Sequence, residues 1–408
     1  GIKCEVASTM RSSIERYTFP KGKGNLLFNL GNGLTNEVGA SLRRVSDTEF
    51  EGTRLLGTFC YNPQAVFPMY FVVRVNKKPA AYGMWKKQPA FGNAQAQWDS
   101  DQGKYKLYPG YGRDMAGNDI GYYKTYDCAE GVSFVSIANA RENLNAEQKG
   151  FEFEKVVKEG HDEWARTLDR VTVEGGTEDQ RRVFYTALYH TQIHPTVLQD
   201  VNGEYPKMES NENGKTAGNR YTVFSLWDTY RNLSQLETLL YPDKQVDMIN
   251  SMIDMYREWG WMPKWELFSR ETWTMEGDPA IPYIADAYMR GLRGFDINEA
   301  YKAFRTSATT EGKNNRMRPD IDPYIERGYV PMGYYAADMS GDNSVSHALE
   351  YYLADNALSI LAGELGHKAD AKLFRQRALG YKHYYSKESG TLRPITMDGK
   401  FLSPFNPE

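Results

Sequence analysis

Cysteine is scarce in this 408-residue chain: Cys4, Cys60 and Cys128 are scattered, with no metal-ligand spacing. Three thiols allow at most one disulfide and leave one free, so cysteine does not fix the compartment. Basic blocks are missing as well. The formal net charge is −4, and nothing points to nucleic acid or an anionic membrane surface. No run approaches the ~20 apolar residues of a membrane-spanning helix. No leader peptide is present, yet the chain opens with Gly1 rather than Met and stops at Ser403-Pro404-Phe405-Asn406-Pro407-Glu408 without a closing element. Both ends read as cut, and a removed export signal stays open. There is no nucleophile elbow, Walker loop or dinucleotide fingerprint. Gly31-Asn32-Gly33 lacks the third glycine and the following helix, and reads as a turn. His190 and His194 stand four apart, as zinc ligands can, but no Glu follows His190 and no third ligand is evident.

Aromatic side chains are abundant: 13% of the residues, with 29 Tyr and 8 Trp. A core absorbs most of them. A sugar site uses the same types, because rings cover the apolar C–H face of a pyranose while carboxylates bind its hydroxyls.

The length suits two or three domains at roughly 150 residues each. Residues 1–137 read as a β-sandwich, with short runs such as Asn25–Leu30, Tyr70–Val75 and Val132–Ile137 between turn residues. Residues 138–176 read as a linker with one amphipathic helix through Phe153, Val157, Trp164 and Leu168, then a short strand at Val171-Thr172-Val173. From Thr177 the period changes to about 3.6. Thr177 and Gln180 form a capping box, and Val183, Ala187, Leu188 and Thr191 share a face. Further helices carry Val246, Ile249, Ile253 and Tyr256; Ile281, Ala285, Tyr288 and Leu292; Leu349, Leu353, Ala357 and Ile360; and Phe374, Ala378, Tyr381 and Tyr385. Residues 177–408 thus read as the first part of an (α/α)6-type helical barrel, incomplete in this chain.

Two clusters carry chemistry. In Phe224-Ser225-Leu226-Trp227-Asp228-Thr229-Tyr230-Arg231, a Trp beside an Asp offers stacking and a hydroxyl acceptor. Arg231 stands one helical turn on, where it can orient Asp228. The plain alternative is a helix start with Asp228 as a cap or first-turn acid. In Trp259-Gly260-Trp261-Met262-Pro263-Lys264-Trp265-Glu266, three Trp within seven residues are hard to place wholly in a core. Arg270-Glu271 and Glu276-Gly277-Asp278 follow, with Asp278 read as a helix cap. His347 and Asp355 fall near one helix face, a weak signal. Glycoside hydrolysis needs two carboxyl groups, and spacing singles out no pair.

These segments resemble glycoside hydrolase family 92, the bacterial calcium-dependent inverting α-mannosidases. The likeness runs through Gly131-Val132-Ser133-Phe134-Val135-Ser136, Asn139-Ala140-Arg141, Phe184 to His190, Thr222 to Arg231, Gly260 to Glu266, Ile284 to Tyr288 and Ser344 to Tyr351. It implies a β-sandwich followed by an (α/α)6 barrel. It also implies that Trp227 and Asp228 line the terminal-mannose pocket, with Trp265, Glu266, Arg270 and Glu271 in the adjoining loop. The loop Trp273 to Pro279 departs from the commoner family form, which carries a His there.

The family's acid, base and calcium-ligand segments match nothing between residues 1 and 408. The resemblance therefore implies that acid and base follow Glu408, that no metal ligand lies in this chain, and that these residues alone are inactive. The expected activity of the whole protein is calcium-dependent release of terminal α-linked mannose (α-1,2 foremost) from N-glycans or mannans, with inversion. The resemblance also implies a periplasmic or secreted bacterial protein and missing N- and C-terminal parts as partners. A non-catalytic carbohydrate binder and a phosphorylase of related architecture are the rival readings.

Overall fold

The computed structural model describes residues 1–20, 24–30, 36–57, 62, 65–80, 82, 95–99, 104–108, 125–312, 314–334 and 343–406. The expected turn at Gly31-Asn32-Gly33, and Cys60, lie outside them. The chain divides into two compact units. The first holds Gly1–His190, Val197–Pro206 and Asn211–Gly218; the second holds Thr191–Thr196, Lys207–Ser210 and Asn219–Glu408.

The strands of the first unit are β1 (Lys3–Ser8), β2 (Ser12–Thr18), β3 (Asn36–Arg44), β4 (Glu49–Gly57), β5 (Val66–Val75), β6 (Gln95–Asp99), β7 (Lys104–Tyr108) and β8 (Thr125–Ser133). Six make one antiparallel sheet in the order β1-β2-β8-β5-β4-β3, while β6 and β7 form a separate ribbon. Alternation along β5 buries both faces of the sheet. Phe71, Val73 and Val75 meet Phe19, Leu26, Phe28 and Leu30 on one side. Val72 meets Ala129, Ala140 and Leu144 on the other. The last two belong to α1 (Ile137–Glu147). Among the described residues, a helix rather than a second sheet covers this face. Gly131 permits the close crossing, since a Cβ there would stand 2.5 Å from the Ala140 carbonyl oxygen.

Several expectations need correction. Residues 25–30 pack on the sheet from irregular backbone, with no strand of their own. Residues 132–137 are not one strand: β8 stops at Ser133, and Ser136 caps α1 by accepting from the Asn139 N–H. The linker holds two helices, α1 and α2 (Phe153–Leu168), and no strand at residues 171–173. α3 (Glu178–His190) starts as expected, because Thr177 and Gln180 exchange side-chain and backbone bonds. It groups with the first unit, buries only Leu188 of its expected face, and ends at His190, so His194 lies beyond the helix.

The second unit is helical. It contains α4 (Leu226–Thr229), α5 (Leu233–Leu240), α6 (Pro242–Trp259), α7 (Ala280–Met289), α8 (Ile297–Thr309), α9 (Ile321–Arg327), α10 (Ser344–Glu364) and α11 (Lys368–Ala378). α6 buries Ile249 and Ile253 and ends at Gly260, whose φ of 93° makes the left-handed cap. α10 turns a different face inward than its apolar period suggests. Leu353 and Ile360 are exposed, while Ala348, Tyr351, Asp355 and Leu358 are buried. In the segment after α11, Tyr381 and Tyr385 are exposed and Tyr384 is buried. None of the described helices is long and apolar enough to cross a membrane.

Candidate active site

The two sequence clusters meet in the second unit. Residues 224–225 pair with residues 265–266, and residues 266–267 of the same strand pair in turn with residues 270–271. This small sheet sets the loop from Trp265 to Asp278 beside α4. Its backbone is unusual. In it and beside it, six non-glycine residues among those described take left-handed φ: Glu209, Val223, Phe268, Ser269, Trp273 and Met275. Such geometry costs of order 1–3 kcal/mol per residue and persists only where the surroundings over-determine it.

Glu266 and Glu271 supply that determination. Glu266 is fully buried and accepts from Thr222 Oγ1 at 2.7 Å, from the Val223 N–H at 3.0 Å and from the Ser269 N–H. Glu271 is fully buried and accepts from the N–H groups of Lys264 at 2.8 Å, Trp265 at 3.0 Å and Trp273 at 3.1 Å. The Phe268 N–H donates to Thr222 Oγ1, and the Glu209 carboxylate receives the Glu271 N–H. Two carboxylates thus pin left-handed Val223, Ser269 and Trp273 by their own amides. Burial pushes the Glu266 carboxyl up to about 7 and raises Glu271 as well, against the pull of these donors. Both groups face protein, so they position the loop. Arg270 is used similarly, donating to the carbonyls of Ser269 and Ser210.

Trp227 and Asp228 stand differently. Asp228 is exposed and accepts from Ser225 Oγ. Trp227 is half-buried, and its Nε1 has no hydrogen-bond partner among the described residues. Arg231 does not hold Asp228. Its guanidinium lies 4.3 Å from the centre of the Trp227 ring and donates to Glu350 at 2.7 Å and to the Tyr230 hydroxyl at 2.9 Å. α4 ends at Thr229, so the helical spacing that would pair Arg231 with Asp228 is not continued. Asp278 is not a side-chain cap either. It accepts from Arg318 at 3.2 Å and from Ser307 at 2.5 Å, deep in the unit.

α10 brings in groups that residue spacing did not reveal. Glu350 meets Arg231 and Tyr230, and Ser346 reaches Glu276 at 3.5 Å. His347 and Tyr351 hold buried Asp320 at 2.9 and 2.6 Å. Asp355 pairs with Arg318 at 2.7 Å and Tyr324 at 2.9 Å. Below the loop, the buried Lys264 ammonium donates to the Met317 carbonyl. Burial lowers its pKa, while Glu271, Asp278, Asp320 and Glu276 oppose that shift. The result is a hydrogen-bonded charged network that joins the loop to α10, with Trp227 and exposed Asp228 beside it. Chemically, Trp227 and Asp228 offer a ring and an open carboxylate, which suits a neutral polyhydroxylated ligand. Among the described residues, no group of three or more His, Cys, Asp or Glu side chains fits a metal ion.

Residues 139–408 match the Glycosyl hydrolase family 92 catalytic domain, and residues 1–133 match the Glycosyl hydrolase family 92 N-terminal domain. The chain belongs to glycosyl hydrolase family 92. Among family 92 structures, an α-mannosidase from Bacteroides thetaiotaomicron is 26% identical, with a TM-score of 0.79 over 100% of this chain and 53% of its own. The same relative has been solved with mannoimidazole. A second family 92 enzyme from that organism, an inverting mannosidase, shares the fold at 21% identity and a TM-score of 0.77, with the same shares covered. An uncharacterized secreted glycosidase of Arthroderma benhamiae is 26% identical over 68% of this chain and 32% of its own length. The chain therefore spans about half the length of these solved family 92 relatives and a third of the curated one. This family 92 chain has the expected β-rich first part and helical second part. Glu350, Asp320 and Arg318 are the groups around the loop that spacing missed.

Proposed function

We propose that the protein containing this chain is an exo-acting α-mannosidase that releases terminal α-linked mannose, α-1,2 linkages foremost, from N-glycans or mannans with inversion. The observation that carries this reading is exposed Asp228 beside the half-buried ring of Trp227. One side chain accepts from sugar hydroxyls, and the ring of the other covers the C–H face. Glu266, Glu271 and Arg270 hold the loop and do not touch the sugar. The mannoimidazole complex of the Bacteroides relative supports a mannose-type ligand, and the secreted glycosidase relative supports an exported protein.

Inversion needs an acid and a base-held water on opposite faces of the glycosidic bond. Glu266, Glu271 and Asp355 are spent on protein donors, so we assign acid, base and calcium to parts of the protein outside these residues. The test is release of mannose from an α-1,2-linked disaccharide by the whole protein, with and without EGTA, with the product anomer followed by NMR. Calcium-dependent release with inversion is expected from the whole protein, and none from residues 1–408 alone. Turnover by residues 1–408, or full activity after exhaustive chelation, overturns the corresponding assignment.

A further inference from the structure

Trp227 is held by something other than a hydrogen bond. Its Nε1 has no partner among the described residues, so no bond of its own sets the angle of the ring. The Arg231 guanidinium lies over that ring, 4.3 Å from its centre. A cation over an aromatic face is attracted by the ring quadrupole, and a planar guanidinium also stacks there.

The guanidinium is itself fixed in a closed circuit of hydrogen bonds. Nη2 donates to Glu350 Oε1 at 2.7 Å, and Nη1 donates to the Tyr230 hydroxyl at 2.9 Å. That hydroxyl donates in turn to Glu350 Oε2 at 2.9 Å. Burial and the neighbouring Glu350 charge raise the Tyr230 phenol, so it remains a donor. The end of the site loop packs on the same carboxylate side chain. At Gly277, where φ is 84°, a Cβ would stand 2.6 Å from the Glu350 Cβ. Glu350 therefore joins α10, the loop and, through one guanidinium, the Trp227 ring.

Stability gives this arrangement little reason. The Arg231 side chain is 40% exposed and that of Glu350 17%, and an ion pair so open to water contributes little to folding. What the pair fixes is a geometry. A ring has two faces, and Arg231 covers one of them, so a pyranose that stacks on Trp227 takes the other.

We propose that Glu350 and Arg231 are positioning residues: Glu350 orients Arg231, and Arg231 fixes the Trp227 ring and closes one face, so that the terminal sugar stacks on the opposite face. The use in sugar binding rests on the mannosidase reading above; the hold on the ring does not.

The test uses the whole protein labelled with 5-fluorotryptophan, the Trp227 fluorine signal being assigned by its loss in Trp227→Phe. Arg231→Met, Arg231→Lys and Glu350→Gln are compared with the parent, alone and on a Trp227→Ala background. Melting temperatures check folding, and Arg231→Lys keeps the charge without the fork should Arg231→Met fail to fold. In the single variants the Trp227 signal should shift and broaden. Their kcat/KM for an α-1,2-linked mannose disaccharide should fall roughly tenfold to a hundredfold, as misplacing a positioned group does. On the Trp227→Ala background the same changes should lower it by less than about twofold, because residues that act through one another are not additive. A merely structural pair would cost the same on both backgrounds. Full additivity, or an unchanged Trp227 signal in the folded single variants, overturns the proposal. A parent that releases no mannose overturns the mannosidase reading, and the fluorine signal then still decides whether the pair fixes the ring.

Discussion

Asp200 in the first unit and Glu271 in the second are both buried carboxylates that collect three donors, but the donors differ in kind. Asp200 accepts from the side chains of Ser133 at 2.7 Å, Asn139 at 2.9 Å and Asn143 at 2.6 Å. Asn139 also donates to Glu204, and Asn143 to the Val132 carbonyl, each at 2.8 Å. These side chains keep partners if Asp200 is lost. Glu271 and Glu266 instead take backbone N–H groups from loop residues, several with left-handed φ. A backbone amide cannot turn away without moving the chain. All six left-handed non-glycine residues lie in the second unit, and none among the described residues of the first. The sheet is held by ordinary strand ladders and apolar burial. The site loop is held in strained geometry by carboxylates dedicated to it.

The largest expected effect tests that distinction directly. Glu271→Ala leaves three buried amides bare and should lower stability by about 3 kcal/mol or more, while Asp200→Ala should cost about 1–2 kcal/mol. Denaturant unfolding of residues 1–408 measures both, and hydrogen exchange at Trp265 and Trp273 should rise only in the first variant. Equal losses would erase the contrast between backbone and side-chain clamps.

Asp228→Ala sharpens the same contrast from the functional side. Asp228 is exposed and clamps no backbone, so its loss should leave the melting temperature unchanged. Catalytic efficiency of the whole protein should fall roughly tenfold to a hundredfold, the value of a hydrogen bond to a charged acceptor. Near-parent kinetics would remove Asp228 from the pocket.

A smaller effect concerns pH. Burial raises the Glu266 carboxyl from the usual 4.5 to about 7. The folded state then holds this proton more tightly than the unfolded chain. The stability it contributes is complete below pH 4.5 and is lost as pH rises through 7. Glu266→Gln cannot titrate and should flatten the stability profile between pH 4.5 and 7, although its amide N–H₂ now faces the Val223 N–H. Urea midpoints at pH 5 and pH 8 for both proteins decide it. The same slope in each would place the titration elsewhere.

Val223→Gly should give the smallest change. Val223 is β-branched with φ of 67°, a conformation glycine adopts freely. Relief of strain should offset the lost side chain, leaving stability within about 1 kcal/mol or slightly raised. Glycine placed at Val72 in the sheet should instead destabilise by several kcal/mol through the cavity it leaves. A large loss at Val223 would mean that its side chain, not its backbone, holds the loop.

The sequence by itself determined the order of structure, strands first and helices after, because periods of two and 3.6 are local properties of the chain. It also determined the capping box at Thr177 and Gln180, the Gly260 stop of α6, and the aromatic and acidic loops that meet at the site. The tertiary structure alone decided which faces are buried and which charges pair. α10 shows why. Its inward face carries Tyr351 and Asp355, polar groups satisfied by Asp320, Arg318 and Tyr324 from other elements. A search for apolar spacing therefore selects Leu353 and Ile360, which remain in solvent. Arg231 follows the same logic. Spacing offers it Asp228, three residues away, but the short α4 lets it reach Glu350, 119 residues on. A buried charge takes the partner that the packed chain brings to it, and that partner is invisible until distant segments have been placed.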